Sequence, residues 1–410
     1  MKSLQKKKYY PWLVVALLWF VAMLNYLDRQ MLSTMKTAIQ VDIAELESAT
    51  NFGRLMAVFL WIYGFMSPVS GFIADRLNRK WLIAGSLFVW SGVTLFMGYA
   101  DTFSELYWLR AIMGVSEALY IPAALSLIAD YHSSKTRSLA VGLHMTGLYV
   151  GQAMGGFGAT IAENYSWQQT FFLFGWIGIA FSFVLVFFLF EKRSNEFSDP
   201  AIQKPTLSAT KGLGVLFRLL PFWIILIYFA IPSIPGWAIK NWLPTLFSNN
   251  LGIPMSEAGP MATITIAVSS FVGVVFGGIL SDKWGQKHLK GRIFTSAIGL
   301  GFTIPALLFL GFGNSIYALV SAAFCFGFGF GMFDANNMPI LCQFVSPKLR
   351  ATAYGFMNMV GVFMGAFITY FLGKSSDQGS LGKDFAIMSM VVLGAILLML
   401  IVLKPKVREV

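Results

Sequence analysis

Four ionisable residues stand inside apolar runs of this chain: Asp28 and Arg29 in the first long hydrophobic stretch, Arg110 and Glu117 in the fourth. On insertion scales each such charge costs about 2.5–3.5 kcal/mol at the centre of a membrane helix, so it persists where an ionic pathway or ligand uses it. Arginine stays protonated when buried, and its planar fork matches a carboxylate. It suits a fixed anchor for an organic anion. Carboxylates are raised in pKa by desolvation and lowered by a neighbouring cation, so Asp28 or Glu117 can switch protonation as a site opens and closes. Arg110 and Glu117 are seven residues apart, which places them on one helical face and about 10 Å apart along the axis, too far for a direct bond unless the side chains stretch. A static reading stands beside this one, with Asp28–Arg29 and Arg110–Glu117 as ion pairs that hold the two helices together.

The elements that carry these residues must be membrane helices. A chain of 410 residues that is 57% hydrophobic and 12% charged, with 39 Phe and 12 Trp, cannot cover itself with a water-soluble surface. Allowing about 20 apolar residues per span, twelve helices are expected near 11–35, 53–74, 80–99, 104–130, 136–160, 168–190, 217–247, 258–280, 292–312, 315–344, 350–373 and 384–404. The fold class is all-α integral membrane. If both termini are cytoplasmic, the inner segments hold most of the Lys and Arg, and the outer ones only Lys36, Arg54, Lys374 and Lys383. That asymmetry explains the net charge of +11 without nucleic acid. It predicts a multi-pass protein of the cell inner membrane. The first 30 residues begin as a signal peptide does, but Asn25, Asp28 and Arg29 interrupt the apolar run and no small-x-small cleavage pattern follows, so they read as the first retained helix. Cys325 and Cys342 are the only cysteines and read as packing residues, which argues against a disulfide framework or a Cys metal site.

An internal repeat organises the spans. Gly71-x-x-x-Asp75-Arg76-x-Asn78-Arg79-Lys80 after the second is matched by Gly278-x-x-x-Asp282-Lys283-x-Gly285-Gln286-Lys287 after the eighth. Arg137-x-x-Ala140-x-Gly142 opens the fifth, and Arg350-x-x-Ala353-x-Gly355 opens the eleventh. The chain therefore divides into two pseudo-symmetric six-helix halves, 1–191 and 215–410, joined by a cytoplasmic linker at 192–214 that contains Pro200 and Pro205. The repeat aligns Glu117-Ala-Leu-Tyr-Ile-Pro122 with Asp334-Ala-Asn-Asn-Met-Pro339, making Asp334 a possible second acid. Each proline frees a backbone carbonyl and bends its helix.

The paired loops and the two halves resemble the major facilitator superfamily of secondary transporters, over essentially the whole chain. The family loop expects Gly at Asn78; Asn tolerates a left-handed turn, so the loop should survive. Such a loop can bridge neighbouring helices at the cytoplasmic surface, which makes Asp75, Arg76, Arg79, Asp282 and Lys283 candidate gate residues. Asn25-Tyr26-x-Asp28-Arg29, Arg110-x-x-x-Gly114-x-x-Glu117-Ala118 and Trp242-Leu243-Pro244-Thr245 resemble the anion:cation symporter group of sugar-acid and carboxylate transporters. The resemblance implies Arg29 and Arg110 as substrate-anion contacts and Asp28 and Glu117 as proton-coupling residues. It implies import by alternating access with the proton gradient as energy source, and no cofactor. Spinster-like transporters of lysolipids share much of this pattern, and a lipid or other amphiphile is the alternative cargo.

Tyr63, Gln152, Asn336 and Asn337 carry polar groups at membrane depth and could read hydroxyls, or each could make an interhelical hydrogen bond. Lys240 either joins the substrate contacts or snorkels to the outer surface. With Lys240 and Asp334 included, the six embedded charges sum to zero. His144 reads as a satisfied packing residue, and Trp12, Trp19, Trp90 and Trp108 as lipid-facing or interfacial. Gly147-x-x-x-Gly151-Gln152-x-x-Gly155-Gly156 allows close helix approach; Gln152 stands where proton antiporters resembling this motif have Pro, which argues against drug:proton antiport. Gly373-Lys374-Ser375 lacks the earlier glycine of a phosphate loop, with Ile368 in its place, which argues against ATP-driven pumping. No nucleophile–base–acid set or metal cluster points to an enzyme. The expected assembly is a monomer in a lipid bilayer.

Overall fold

Long apolar runs form helices here because a bilayer leaves no other partner for backbone N–H and C=O groups. The computed structural model describes residues 8–191, 214, 216–218, 220–345 and 349–405. In chain order its principal helices are α1 (Tyr10–Thr34), α2 (Ala49–Arg76), α3 (Arg79–Met97), α4 (Phe103–Ala118), α5 (Tyr120–Tyr131), α6 (Ser134–Gly155) and α7 (Trp167–Phe188). They continue with α8 (Leu220–Leu251), α9 (Met255–Lys287), α10 (Gly291–Phe312), α11 (Ile316–Asp334), α12 (Asn337–Cys342), α13 (Arg350–Asp377) and α14 (Leu381–Val402). The fourth expected span is α4 with α5, and the tenth is α11 with α12. Among the described residues 11 spans are long and apolar enough to cross a membrane. α6 is not among them. Its Gly147, Gly151 and Gly155 face α1 so closely that a Cβ on Gly147 would lie 2.6 Å from the Trp19 carbonyl oxygen, and one on Gly155 2.6 Å from the Gln30 Cβ. A helix whose apolar duty is replaced by backbone contact with a neighbour needs less hydrophobicity of its own.

Exposure is inverted relative to a soluble protein. Phe309, Phe312, Met390 and Ile401 are exposed, while Asn25, Asp28, Arg110 and Glu117 are buried. The chain is an all-α, multi-pass membrane protein.

Two compact units form: Met1–Leu46 with Val58–Pro205, and Glu47–Ala57 with Thr206–Val410. In the first, α1 packs along α6 and α3 along α7; in the second, α8 packs along α13 and α10 along α14. The packing thus repeats with the sequence. The divide departs from the expected halves inside α2, because Glu47–Ala57, which includes the opening of α2, groups with the second unit. Asp377, at the end of α13, explains this: its carboxylate accepts the N–H groups of Ala49 (2.6 Å) and Thr50 (2.9 Å) and the hydroxyls of Ser48 (2.9 Å) and Thr50 (2.6 Å). A carboxylate on the first turn satisfies donors that have no partner within the helix and opposes its positive end. The expected linker at 192–214 lies outside the described residues, apart from Gly214.

Both expected helix bends are interruptions of one continuous span each, at Leu119 and at Ala335 and Asn336. α5 starts after Leu119 and α12 after Ala335 and Asn336, so Pro122 and Pro339 each occupy the third position of the new helix. There the missing N–H removes no bond the first turn would have made. At the second break the Asn336 side-chain amide donates to the Met332 carbonyl at 2.8 Å.

Three expectations need correction. Asn78 is not in a left-handed turn: its φ is −70° and ψ 115°, and its side-chain oxygen caps α3 by accepting the Trp81 N–H at 3.3 Å. Trp90 is fully buried rather than lipid-facing. Cys325 is exposed on α11 rather than packed inside.

Candidate functional site

In the first unit, α1 brings Asn25, Asp28 and Arg29 to one level, three and four residues apart. The Arg29 Nε donates to Glu117 Oε2 at 2.6 Å, joining α1 to the last turn of α4. The side chains are 11% and 0% exposed. The static pairing of Arg110 with Glu117 is not formed, because seven residues along α4 separate the two heads and α1 delivers a nearer cation. Arg110 is buried, donates from Nη1 to the Met113 sulfur at 3.1 Å, and leaves its Nε without a hydrogen-bond partner. Glu117, Arg29 and Asp28 are the charges that act on it. Asp28 does not pair with Arg29 either; its Oδ2 lies 3.3 Å from the Thr94 hydroxyl of α3, whose single proton has a nearer acceptor in the Trp90 carbonyl at 3.0 Å, and its Oδ1 has no partner.

Aromatic rings form the bed of this cluster. The Arg29 guanidinium lies 4.5 Å from the Tyr63 ring centroid and 5.0 Å from those of Tyr26 and Phe59, and Arg110 lies 4.6 Å from Phe59. Ring faces attract cations without neutralising them, so an arginine can be held while its donors stay available. Tyr26 belongs to the Asn25-Tyr26-x-Asp28-Arg29 motif, whereas Phe59 and Thr94 carry no motif of their own. Phe59 and Tyr63 are four residues apart on α2 and could have been read as one face; nothing around Thr94 marks it. Gln152 is buried on α6.

The second unit has its own polar cluster at the α11–α12 break. Asn337 donates to Asp334 Oδ1 at 3.0 Å and accepts from the Tyr228 hydroxyl of α8 at 3.4 Å. Lys240 supplies the opposing charge that acts on Asp334, and its ammonium lies 4.9 Å from the Trp237 ring centroid. Asp334 is exposed, while Asn336 and Asn337 are buried. The Asn336 amide nitrogen is committed to the Met332 carbonyl of α11, leaving the side-chain oxygen without a partner.

The candidate gate residues behave unequally. Arg79 is buried and gathers three elements of the first unit, donating to Asp130 of α5 (2.5 Å), Ser126 (2.9 Å) and Glu191 beyond α7 (2.5 and 2.8 Å). Asp130 and Glu191 were missed in the sequence because each looks like an ordinary end-of-span charge. Arg76 is exposed over the Phe72 ring. In the second unit Asp282 pairs with Arg292 at 3.1 Å, and Lys283 is exposed. The Asp75 side chain lies outside the described residues.

The arrangement is a buried, mixed-charge site with underused arginine donors. Among the described residues no group of His, Cys, Asp and Glu could hold a metal ion. A family model described as Major Facilitator Superfamily matches residues 18–369. The chain is 24% identical over 403 residues to the probable galactarate/D-glucarate transporter GudP of Escherichia coli strain K12, covering 88% of this chain and 86% of that one. It is 24% identical over 396 residues to the D-galactonate transporter of Escherichia coli O6:H1, covering 88% of each. A solved bacterial homolog of the human lysosomal transporter Spinster, inward-facing and occupied, aligns with a TM-score of 0.78 at 20% identity over 96% of this chain and 97% of that one.

Proposed function

We propose, from the premise that the chain belongs to the Major Facilitator Superfamily and is a membrane transporter, that it imports an organic anion of the sugar-acid class together with protons by alternating access. The observation that carries this reading is Arg110, a buried guanidinium with an unused donor and no ion pair among the described residues, beside an Arg29–Glu117 pair that a proton can open. The names of the relatives support the substrate class.

Charge balance supplies the coupling argument. Asp28, Arg29, Arg110 and Glu117 are formally neutral together. An uncompensated charge in a low-dielectric interior costs several kcal/mol. A monovalent carboxylate entering alone would leave such a charge; one entering with a proton does not. When Glu117 takes that proton, Arg29 loses its competing partner and turns its donors to the substrate carboxylate beside Arg110. Asp28 is the second coupling candidate, beside the Thr94 hydroxyl. Tyr63 and Gln152 in the first unit, and Lys240, Asn336 and Asn337 in the second, are the proposed hydroxyl and carboxylate contacts, with Asp334 as a further acid. Arg79, Arg76, Asp75, Asp282 and Lys283 are proposed to act at the cytoplasmic face, where both termini would also lie.

The test is uptake of labelled D-galactonate and D-glucarate into proteoliposomes with an acid exterior. Accumulation against the substrate gradient that collapses with a protonophore is expected. Uptake indifferent to the protonophore sinks the coupling. A thermal shift given by lysophosphatidylcholine and by none of the sugar acids sinks the substrate class, since a ligand of the folded state raises its stability.

A further inference from the structure

Deeper in the first unit, His144 of α6 is 0% exposed and neither ring nitrogen completes a hydrogen bond. Its one backbone acceptor is the Leu18 carbonyl, which the ring faces without completing hydrogen-bond geometry, so the packing role its sequence context suggests is met only in part. Leaving a buried polar group without a partner is costly, and native interiors meet such groups with ordered water. The Tyr120 ring of α5 lies 5.9 Å from the imidazole centroid, and its hydroxyl donates to the Leu18 carbonyl of α1 at 2.5 Å. That same carbonyl is the backbone acceptor that faces His144. Tyr120 is the titratable side chain against the ring, and no charged side chain among the described residues acts on it.

The neighbouring groups continue in one direction. Leu18, Asn25 and Arg29 lie on one face of α1, at steps of seven and four residues, and Tyr120 follows Glu117 by three. Asn25 is fully buried with its amide turned to the Glu117 carboxylate, and neither end of the amide nor Glu117 Oε1 completes hydrogen-bond geometry. At the far end, Tyr10, Asp130 and Arg79 mark the face of the bundle where α1 begins, α5 ends and α3 begins. Leu18 lies eight residues from Tyr10, and Tyr120 ten from Asp130, about 12–15 Å of helix. The unpartnered polar atoms thus run from the Arg29–Glu117 pair to His144, roughly halfway to that face.

We infer that His144 is a proton-relay residue linking Glu117 to the face of the first unit marked by Arg79 and Asp130. The step balances simply. One imidazole nitrogen takes up, through water, the proton released by the Glu117 carboxyl; the imidazolium then gives a proton from either nitrogen to water on the Arg79 side, and neutral His144 is restored. Imidazole can do this because its two nitrogens donate and accept in turn. This deepens the proton-coupled reading and rests on it.

The experiment has two arms. Imidazole C2 hydrogen–deuterium exchange, followed by mass spectrometry on the intact protein, needs no substrate; exposed His288 is the reference. His144 is expected to exchange within about 10-fold of His288 with a sigmoidal pH profile, and exchange slower than that at every pH overturns the relay. In proteoliposomes with D-galactonate as probe, His144→Leu and His144→Gln should keep equilibrium exchange within about 2-fold of wild type. Gradient-driven accumulation should fall at least about 10-fold, since a proton-transfer group contributes about 10²–10⁴ in rate. Equal loss of both activities, recovery by Gln, or unchanged accumulation each overturns the inference while wild-type coupling still supports symport. Wild-type uptake that ignores the proton gradient overturns symport and the relay together.

Discussion

The Arg29 guanidinium and the Glu117 carboxylate, 88 residues apart in the chain, meet at 2.6 Å between α1 and α4, with the acid wholly buried. That contact gives a carboxylate a cation it can surrender on protonation. Glu117→Gln is expected to keep equilibrium exchange of D-galactonate in proteoliposomes while abolishing its accumulation along a proton gradient. Because breaking a buried pair from one side costs about 3–5 kcal/mol, the variant should also unfold at lower temperature. A Glu117→Gln protein that still concentrates substrate removes Glu117 from the coupling.

Arg110 should be intolerant of lysine. A point charge on a flexible stem cannot reproduce two parallel donors or the stacking on Phe59. Arg110→Lys is expected to weaken sugar-acid binding at least about 10-fold, equivalent to 1.4 kcal/mol, in a calorimetric titration. Binding within 2-fold of wild type would show that the fork is not the carboxylate anchor.

Asp377 should act on stability. It accepts four hydrogen bonds from residues 48–50 at the start of α2. Loss of a helix cap costs about 0.5–2 kcal/mol, so Asp377→Ala should lower the thermal midpoint in detergent by about 1–2 °C. Asp377→Asn, which retains one acceptor oxygen, should fall between. An unchanged midpoint for Asp377→Ala contradicts the assigned capping role.

Two glycines of α6 give opposite expectations. A side chain on Gly151 runs into the Met23 backbone of α1, whereas a Cβ on Gly142 meets nothing within 4 Å. Gly151→Leu should destabilise the first unit by about 1–3 kcal/mol or prevent folding, and Gly142→Ala should be neutral to within about 0.5 kcal/mol. Fluorescence-detected size exclusion on the two variants checks this, and equal behaviour contradicts the close α1–α6 approach.

Apolar run length and charged residues within those runs are local properties, so the all-α membrane class, the 11 spans found among the described residues and the embedded charges Asp28, Arg29, Arg110 and Glu117 were legible in the chain. So were the two helix interruptions, since Pro122 and Pro339 act on their own helices. Partner choice was not legible. Sequence spacing put Arg110 nearest to Glu117 along α4, yet Arg29 of another helix takes it, and Asp28 turns to Thr94 rather than to its neighbour Arg29. Which side chains meet depends on the rotation and close approach of helices far apart in the chain, settled by contacts such as the α6 glycine stripe on α1. The same packing buries Trp90 and His144 and gives the start of α2 to the second unit. The sequence alone determined which charges enter the membrane; tertiary packing decided which of them are paired and which are left with donors to offer, because distance and desolvation between helices are set only when the helices touch.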